Sequence, residues 1–193
     1  MTNKKFVLVW ALALSFSLSI LGVARVSHAG ESAASSYFTD VQLVNQFGKP
    51  MRLYTDLLEN KIVIISTFFT RCQGSCPVIN GKLAVLRNAY TTRLDKDVHI
   101  ISITNDPDYD TPQRIAEYAR RFKAQAGWYF LSGSVDDVNF ANYKLGQYVQ
   151  EPAAHRDVII MGNERSGLWK KINGKAAIDA IKVSFDEVLN DAN

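Results

Sequence analysis

Cys72 and Cys76 are the only cysteines in the chain, and three residues separate them in Thr70-Arg71-Cys72-Gln73-Gly74-Ser75-Cys76-Pro77. Two sulfurs at this spacing can close a disulfide or hold one soft metal ion between them, and spacing alone leaves both open. Without a metal the same pair could run thiol–disulfide exchange, Cys72 attacking and Cys76 resolving. The bland reading is a structural disulfide or two buried thiols. Gly74 and Ser75 between the cysteines argue instead for an exposed turn.

The elements around the pair sharpen this. Residues 62–69 are a continuous apolar and β-forming run without polar alternation, as in a central strand buried on both faces of a parallel sheet. Pro77 suits the first turn of a helix, so Cys76 falls at a helix N-cap or first turn and Cys72 in the loop above the sheet edge. A helix N-terminus favours thiolate over thiol, so low-pKa sulfurs are the expectation.

The chain has 193 residues, 47% hydrophobic and 21% charged, which suits one globular domain plus a short extra segment. That segment is at the front, where Lys4 and Lys5 precede an uncharged run over residues 6–24 and Ser27-His28-Ala29 offers a small-residue cleavage site. Residues 1–29 therefore read as an export signal, or as an uncleaved anchor, since the run approaches the ~20 residues that span a bilayer. Residues 30–36 read as a short polar tether and residues 37–193 as the folded domain. Of the 22 basic residues three lie in the leader, so 19 stand against 19 acidic ones in the remainder, with no basic stripe to suggest nucleic acid. Export places the thiols in an oxidising compartment, where keeping them functional implies a reductant or a metal.

Further along, Asn45 to Pro50 read as the turn of a hairpin at the sheet edge. The helix opened by Pro77 carries Ile79, Leu83, Leu86 and Tyr90 on one stripe. A second strand over residues 98–103 leads to Asn105-Asp106-Pro107, and Thr111-Pro112 starts a helix. A short strand at 128–131 is followed by a helix from Ser134 toward Tyr148, a hairpin of residues 158–161 with 168–172, and a helix through Ile178, Ile181, Phe185 and Val188. This order is a three-layer α/β fold around a mixed sheet, with ligands at the C-terminal ends of the strands.

From Phe38 onward the chain resembles the Sco/SenC copper proteins, which have a thioredoxin-like fold. The resemblance rests on Phe68-Phe69-Thr70-Arg71-Cys72-Gln73-Gly74-Ser75-Cys76-Pro77, on the acidic segment Ser102 to Pro112, and on His155 with Gly162-Asn163 and Gly167-Leu168-Trp169 after it. Gln73, where many members have proline, and the neighbours of His155 depart from the family pattern. The resemblance implies that Cys72, Cys76 and His155 bind one copper ion, Cu(I) or Cu(II). It also implies a metallochaperone that delivers copper to, or maintains the thiols of, the copper-site subunit of a respiratory oxidase, served by an upstream copper donor and a thiol reductant. Two thiolates suit Cu(I), an added imidazole suits Cu(II), and three ligands leave a position open for transfer. Zinc would favour a fourth ligand.

His99, inside a strand, reads as structural, Asp106 and Asp110 as loop-shaping or capping residues, and Met51 and Met161 as core filler. The rival functions are a periplasmic thiol–disulfide oxidoreductase using Cys72 and Cys76, and a non-catalytic binding domain with a structural disulfide. A peroxiredoxin is poor, since Phe69 and Ile65 stand where its threonine and proline would be.

Overall fold

The computed structural model describes residues 33–191. The expected leader, whether signal or anchor, lies outside the described residues. No helix among the described residues is long and apolar enough to cross a membrane.

The strands are β1 (Gln42–Asn45), β2 (Pro50–Arg52), β3 (Ile62–Phe68), β4 (Val98–Thr104), β5 (Trp128–Gly133), β6 (Val158–Asn163) and β7 (Leu168–Asn173). The helices are α1 (Ala33–Phe38), α2 (Ser75–Ala89), α3 (Pro112–Arg121), α4 (Val135–Lys144) and α5 (Ile178–Leu189). One seven-stranded mixed sheet runs in the order β2-β1-β5-β4-β3-β6-β7. The uninterrupted apolar run becomes β3, with every residue buried. It pairs in parallel with β4 from Ile62↔Val98 to Phe68↔Thr104 and antiparallel with β6. Hairpin β1–β2 attaches antiparallel to β5, and β7 closes the other edge against β6.

The alternation along β3 sorts its side chains between two cores. Ile62, Ile64 and Phe68 pack with the apolar stripes of α2, α3 and α5, while Val63 and Ile65 pack with Leu53 to Leu58 and with α4. A sheet with both faces covered explains why its central strands show no polar alternation. Caps follow the sequence. Thr111 accepts from the Arg114 N–H at the start of α3, and Ser134 accepts from the Asp137 N–H at the start of α4.

Two local expectations are corrected, and one element appears that no sequence pattern marks. The tether is helical from Ala33, because Phe38 is buried in the core and the Tyr37 hydroxyl donates to the Lys144 carbonyl at 2.9 Å, which pins a stretch of small polar residues. The helix from Ser134 stops at Lys144 rather than near Tyr148, since Gly146 takes φ +66°, a left-handed conformation that ends a helix. Leu53–Leu58 winds as a π-helical turn. No helical stripe marks this segment in the sequence, yet it buries Leu53, Leu57 and Leu58 completely.

His99 is structural in its contacts. It is 4% exposed, and its Nδ1–H donates to the Leu57 carbonyl at 3.0 Å. Burial holds its pKa below the ordinary histidine value. The unfolded chain therefore takes up this proton at higher pH than the folded one. The stability that His99 contributes as a neutral ring is present above roughly pH 6.5 and lost as pH falls toward the depressed folded value. Melting temperature is expected to drop between pH 7.5 and 5.5, and to drop less in His99→Gln; parallel curves for the two proteins would remove His99 as the cause.

Candidate metal centre

The chain leaves the sheet at Phe68, whose carbonyl accepts the Asn105 N–H at 2.7 Å. The next turn closes with the Cys72 N–H on the Phe69 carbonyl at 3.0 Å. Asp110, fully buried, fixes this turn from the neighbouring loop. Its carboxylate accepts the Thr70 N–H at 3.1 Å, the Thr70 hydroxyl, and the Thr104 hydroxyl at 2.5 Å. Burial pushes the Asp110 pKa up against the pull of those donors. Asp106 accepts from Arg71 at 2.6 Å, and the Arg71 guanidinium lies 4.1 Å over the Tyr109 ring. Asp106 and Asp110 thus shape the loop that carries Cys72, as their place in the sequence suggests.

Helix α2 starts at Ser75, so Cys76 sits in its first turn, with Gly74 as an N-cap that offers no side-chain hydrogen bond. His155 arrives from the far side of β3, just after the 3-10 turn Pro152–Ala154 and before β6. Its Nε2 lies 3.8 Å from Cys72 Sγ and 3.5 Å from Cys76 Sγ, and the three donor atoms lie within 4.8 Å of one another. Both cysteines are free thiols. The other ring nitrogen, Nδ1, faces Asp157 Oδ1 at 4.0 Å, and Phe69 meets the imidazole edge-on at 5.5 Å between ring centroids.

Two expectations about the sulfurs change. Although Gln73 and Gly74 are exposed, Cys76 is 0% and Cys72 9% exposed, because the loop folds its thiols inward against the core. Burial then decides the acidity of Cys76. Desolvation, reinforced by the Cys72 thiol beside it, pushes its pKa above the ordinary thiol value, so this thiol is not the low-pKa group that the helix N-terminus alone would make. A metal that binds Cys76 therefore displaces the thiol proton, which leaves to solvent.

The donor set fits a soft ion. Metal–sulfur bonds of ~2.3 Å and metal–nitrogen bonds of ~2.0–2.1 Å, spread at trigonal to tetrahedral angles, put sulfur and nitrogen about 3.5–3.8 Å apart. The S···N separations of 3.8 and 3.5 Å already match. His99, Met51 and Met161 are not brought to this site. Met51 Sδ instead accepts from the Asn45 side chain at 3.2 Å, and Met161 is fully buried in the core.

Asp157 was not singled out by its sequence, though a signal was there. Alternation along an extended chain puts residues two apart on one side, so Asp157 follows His155 onto the same side. Its Oδ2 pairs with Lys175 at 2.5 Å, and its backbone carbonyl accepts the Gly174 N–H at 2.8 Å. Burial alone would raise its pKa, but Lys175 and the Ser75 hydroxyl hold the carboxyl below the ordinary carboxylate range.

Fold and site together define a thioredoxin-like α/β protein with two thiols and one imidazole gathered at the end of its central strand. The chain belongs to the SCO1/SenC family, whose model matches residues 29–178. It is 28% identical to the SCO1 protein homolog of Bacillus subtilis (strain 168) over 153 residues, 76% of each chain. Among solved structures it is similar to a SCO1/SenC family lipoprotein from Bacillus anthracis str. Ames, with TM-score 0.65 and 23% identity over 78% of this chain and 94% of that one. It is also similar to copper-bound ScoI from Arabidopsis thaliana, with TM-score 0.63 and 21% identity over 78% and 96%.

Proposed function

We propose that this chain is a copper-binding metallochaperone that holds one copper ion, Cu(I) or Cu(II), on Cys72, Cys76 and His155. The observation that carries the reading is the convergence of two free sulfurs and one imidazole nitrogen within 4.8 Å. Copper is the cargo. Thiolates favour the soft Cu(I) ion, the imidazole favours Cu(II), and a three-donor site leaves a position through which a recipient's ligand can enter before the chain's own ligands let go. Membership of the family and the copper held by the Arabidopsis relative support the choice of metal. The recipient is the copper-site subunit of a respiratory oxidase, the donor a separate copper carrier, and the compartment the periplasm, with residues 6–24 as signal or anchor. The B. anthracis relative, a lipoprotein, is in keeping with a chain that works at a membrane surface.

The cysteine pair also gates the cargo. With both sulfurs already within 4.8 Å, an oxidant can remove two electrons and two protons from them to form the Cys72–Cys76 bond, which leaves no thiolate for the metal. An external dithiol that is itself oxidised to a disulfide returns them. An oxidoreductase working without metal would use this same chemistry as its whole function.

The test is copper titration of the reduced full-length protein against a competing chelator, with its Cu(II) absorption spectrum, beside His155→Ala. One tightly bound copper and a sulfur-to-Cu(II) charge-transfer band are expected, with Cu(II) affinity falling at least ~10-fold in His155→Ala. If the variant binds Cu(II) as tightly as the parent while the cysteines still cycle with a dithiol, the protein is a disulfide oxidoreductase and the metal reading falls.

A further inference from the structure

His155 Nδ1 and Asp157 Oδ1 are both buried, both lack a hydrogen-bond partner, and face each other at 4.0 Å. A buried polar atom without a partner costs roughly 1–3 kcal/mol, and two such atoms opposite each other are most simply reconciled by one proton between them. A carboxylate can only accept, so that proton belongs on Nδ1. Were it on Nε2, a bare ring lone pair would face a carboxylate oxygen with nothing between them. We infer that Asp157 is the positioning residue of the metal centre, holding the proton of His155 on Nδ1 so that the Nε2 lone pair points at Cys72 Sγ and Cys76 Sγ.

The surroundings of Asp157 suit that task. Lys175 holds its Oδ2 at 2.5 Å and the Gly174 N–H holds its backbone carbonyl at 2.8 Å, so the carboxylate is tied to the loop between β7 and α5. The Ser75 hydroxyl, which helps to hold the pKa of this carboxylate down, belongs to the residue immediately before Cys76. One side chain therefore links the turn that carries a ligand sulfur to the ring that supplies the nitrogen. Phe69 packs edge-on against the imidazole, at 5.5 Å between ring centroids. Oδ1 is left over for Nδ1, and a movement of about 1 Å closes the contact to hydrogen-bond length. An imidazole fixed in this way by a carboxylate is a better metal ligand, and loss of such a partner typically lowers metal affinity ~10–100-fold.

The role in metal binding rests on the copper reading above, but the tautomer does not, and the experiment separates them. Ring-nitrogen NMR of the reduced, metal-free full-length chain, with His155 assigned by His155→Ala, is expected to show the Nδ1–H tautomer. Asp157→Ala is expected to shift His155 toward the Nε2–H form and to weaken Cu(II) binding ~10–100-fold, and Asp157→Asn, which keeps an acceptor oxygen, to recover both in part. Lys170→Met, which breaks an exposed ion pair to Glu187 and leaves Asp157 and Lys175 in place, is expected to keep the tautomer, which guards against a general effect of losing a surface charge. An Nε2–H tautomer in the parent protein, or one unchanged in Asp157→Ala, overturns the inference whatever copper does. The expected tautomers with no copper bound would uphold the orienting role and sink the metal reading instead.

Discussion

Copper stoichiometry is expected to fall from one per chain to none when Cys72 and Cys76 are both replaced by serine. Structural zinc sites in zinc-finger peptides have apparent binding free energies of roughly 10–16 kcal/mol, which shows the scale that thiolate-containing sites reach. A serine hydroxyl is hard, ionises far less readily than a thiol, and offers a soft ion nothing comparable. What remains is one imidazole, a single nitrogen donor. Either single substitution is expected to remove most of the affinity too, because the three donors form a triangle, with His155 Nε2 3.8 and 3.5 Å from the two sulfurs, and all three are needed to enclose an ion. The fold should survive. Serine at 0%-exposed position 76 buries a hydroxyl at a cost of about 1–3 kcal/mol, small enough for circular dichroism to show an intact sheet. Copper binding is measured by competition with a chromophoric Cu(I) chelator. A double variant that still holds one copper tightly would place the metal elsewhere and leave the cysteines a redox pair.

How far these features could be read beforehand depends on whether local sequence or distant packing sets them. The central strand, the first turn of α2 and the caps at Thr111 and Ser134 come from adjacent residues, whose periodicity and turn chemistry are local, and they appear where the sequence puts them. Phe38 and Leu53 to Leu58 are different. Their order comes from burial against strands and helices remote in sequence, so a stretch of alanine and serine becomes α1 and an unpatterned segment becomes a π-helical turn.

The site divides in the same way. Cys72 and Cys76 announce themselves through their spacing and the proline that follows. His155 lies 83 residues from Cys72 and comes beside it only because β6 pairs antiparallel with β3, which no local pattern displays. The acidity of Cys76 departs from the sequence expectation for a related reason. The helix N-terminus is visible in the sequence, whereas the burial that outweighs it belongs to the tertiary structure. Asp157 stands out only in the folded chain, because its importance lies in what faces it. Lys175 and Ser75 converge on it from two other segments of the chain.

Phe68→Ala is expected to produce the largest loss of stability of any single substitution at the site's foundation. The ring is 0% exposed, stacks on Tyr118 at 5.2 Å between centroids, and meets Phe130 edge-on at 5.1 Å. Truncation leaves a cavity among side chains from β3, α3 and β5 that cannot collapse together, since the sheet holds two of those elements in register. A cost of about 3–5 kcal/mol follows. At roughly 2–4 °C per kcal/mol for a domain of this size, melting temperature should fall by about 6–20 °C. The metal centre should nonetheless persist, because the turn after Phe68 is held separately by Asp110 through Thr70 and Thr104. The variant should still bind one copper. Bound copper should raise its melting temperature by about as much as it raises that of the parent, since a ligand that binds only the folded state stabilises both by the same mass-action term. Calorimetry of the metal-free and copper-loaded forms checks both halves. A drop of less than about 3 °C would mean that the core relaxes around the missing ring, and loss of copper binding would mean that the Asp110 network cannot hold the cysteine loop without the ring beneath it.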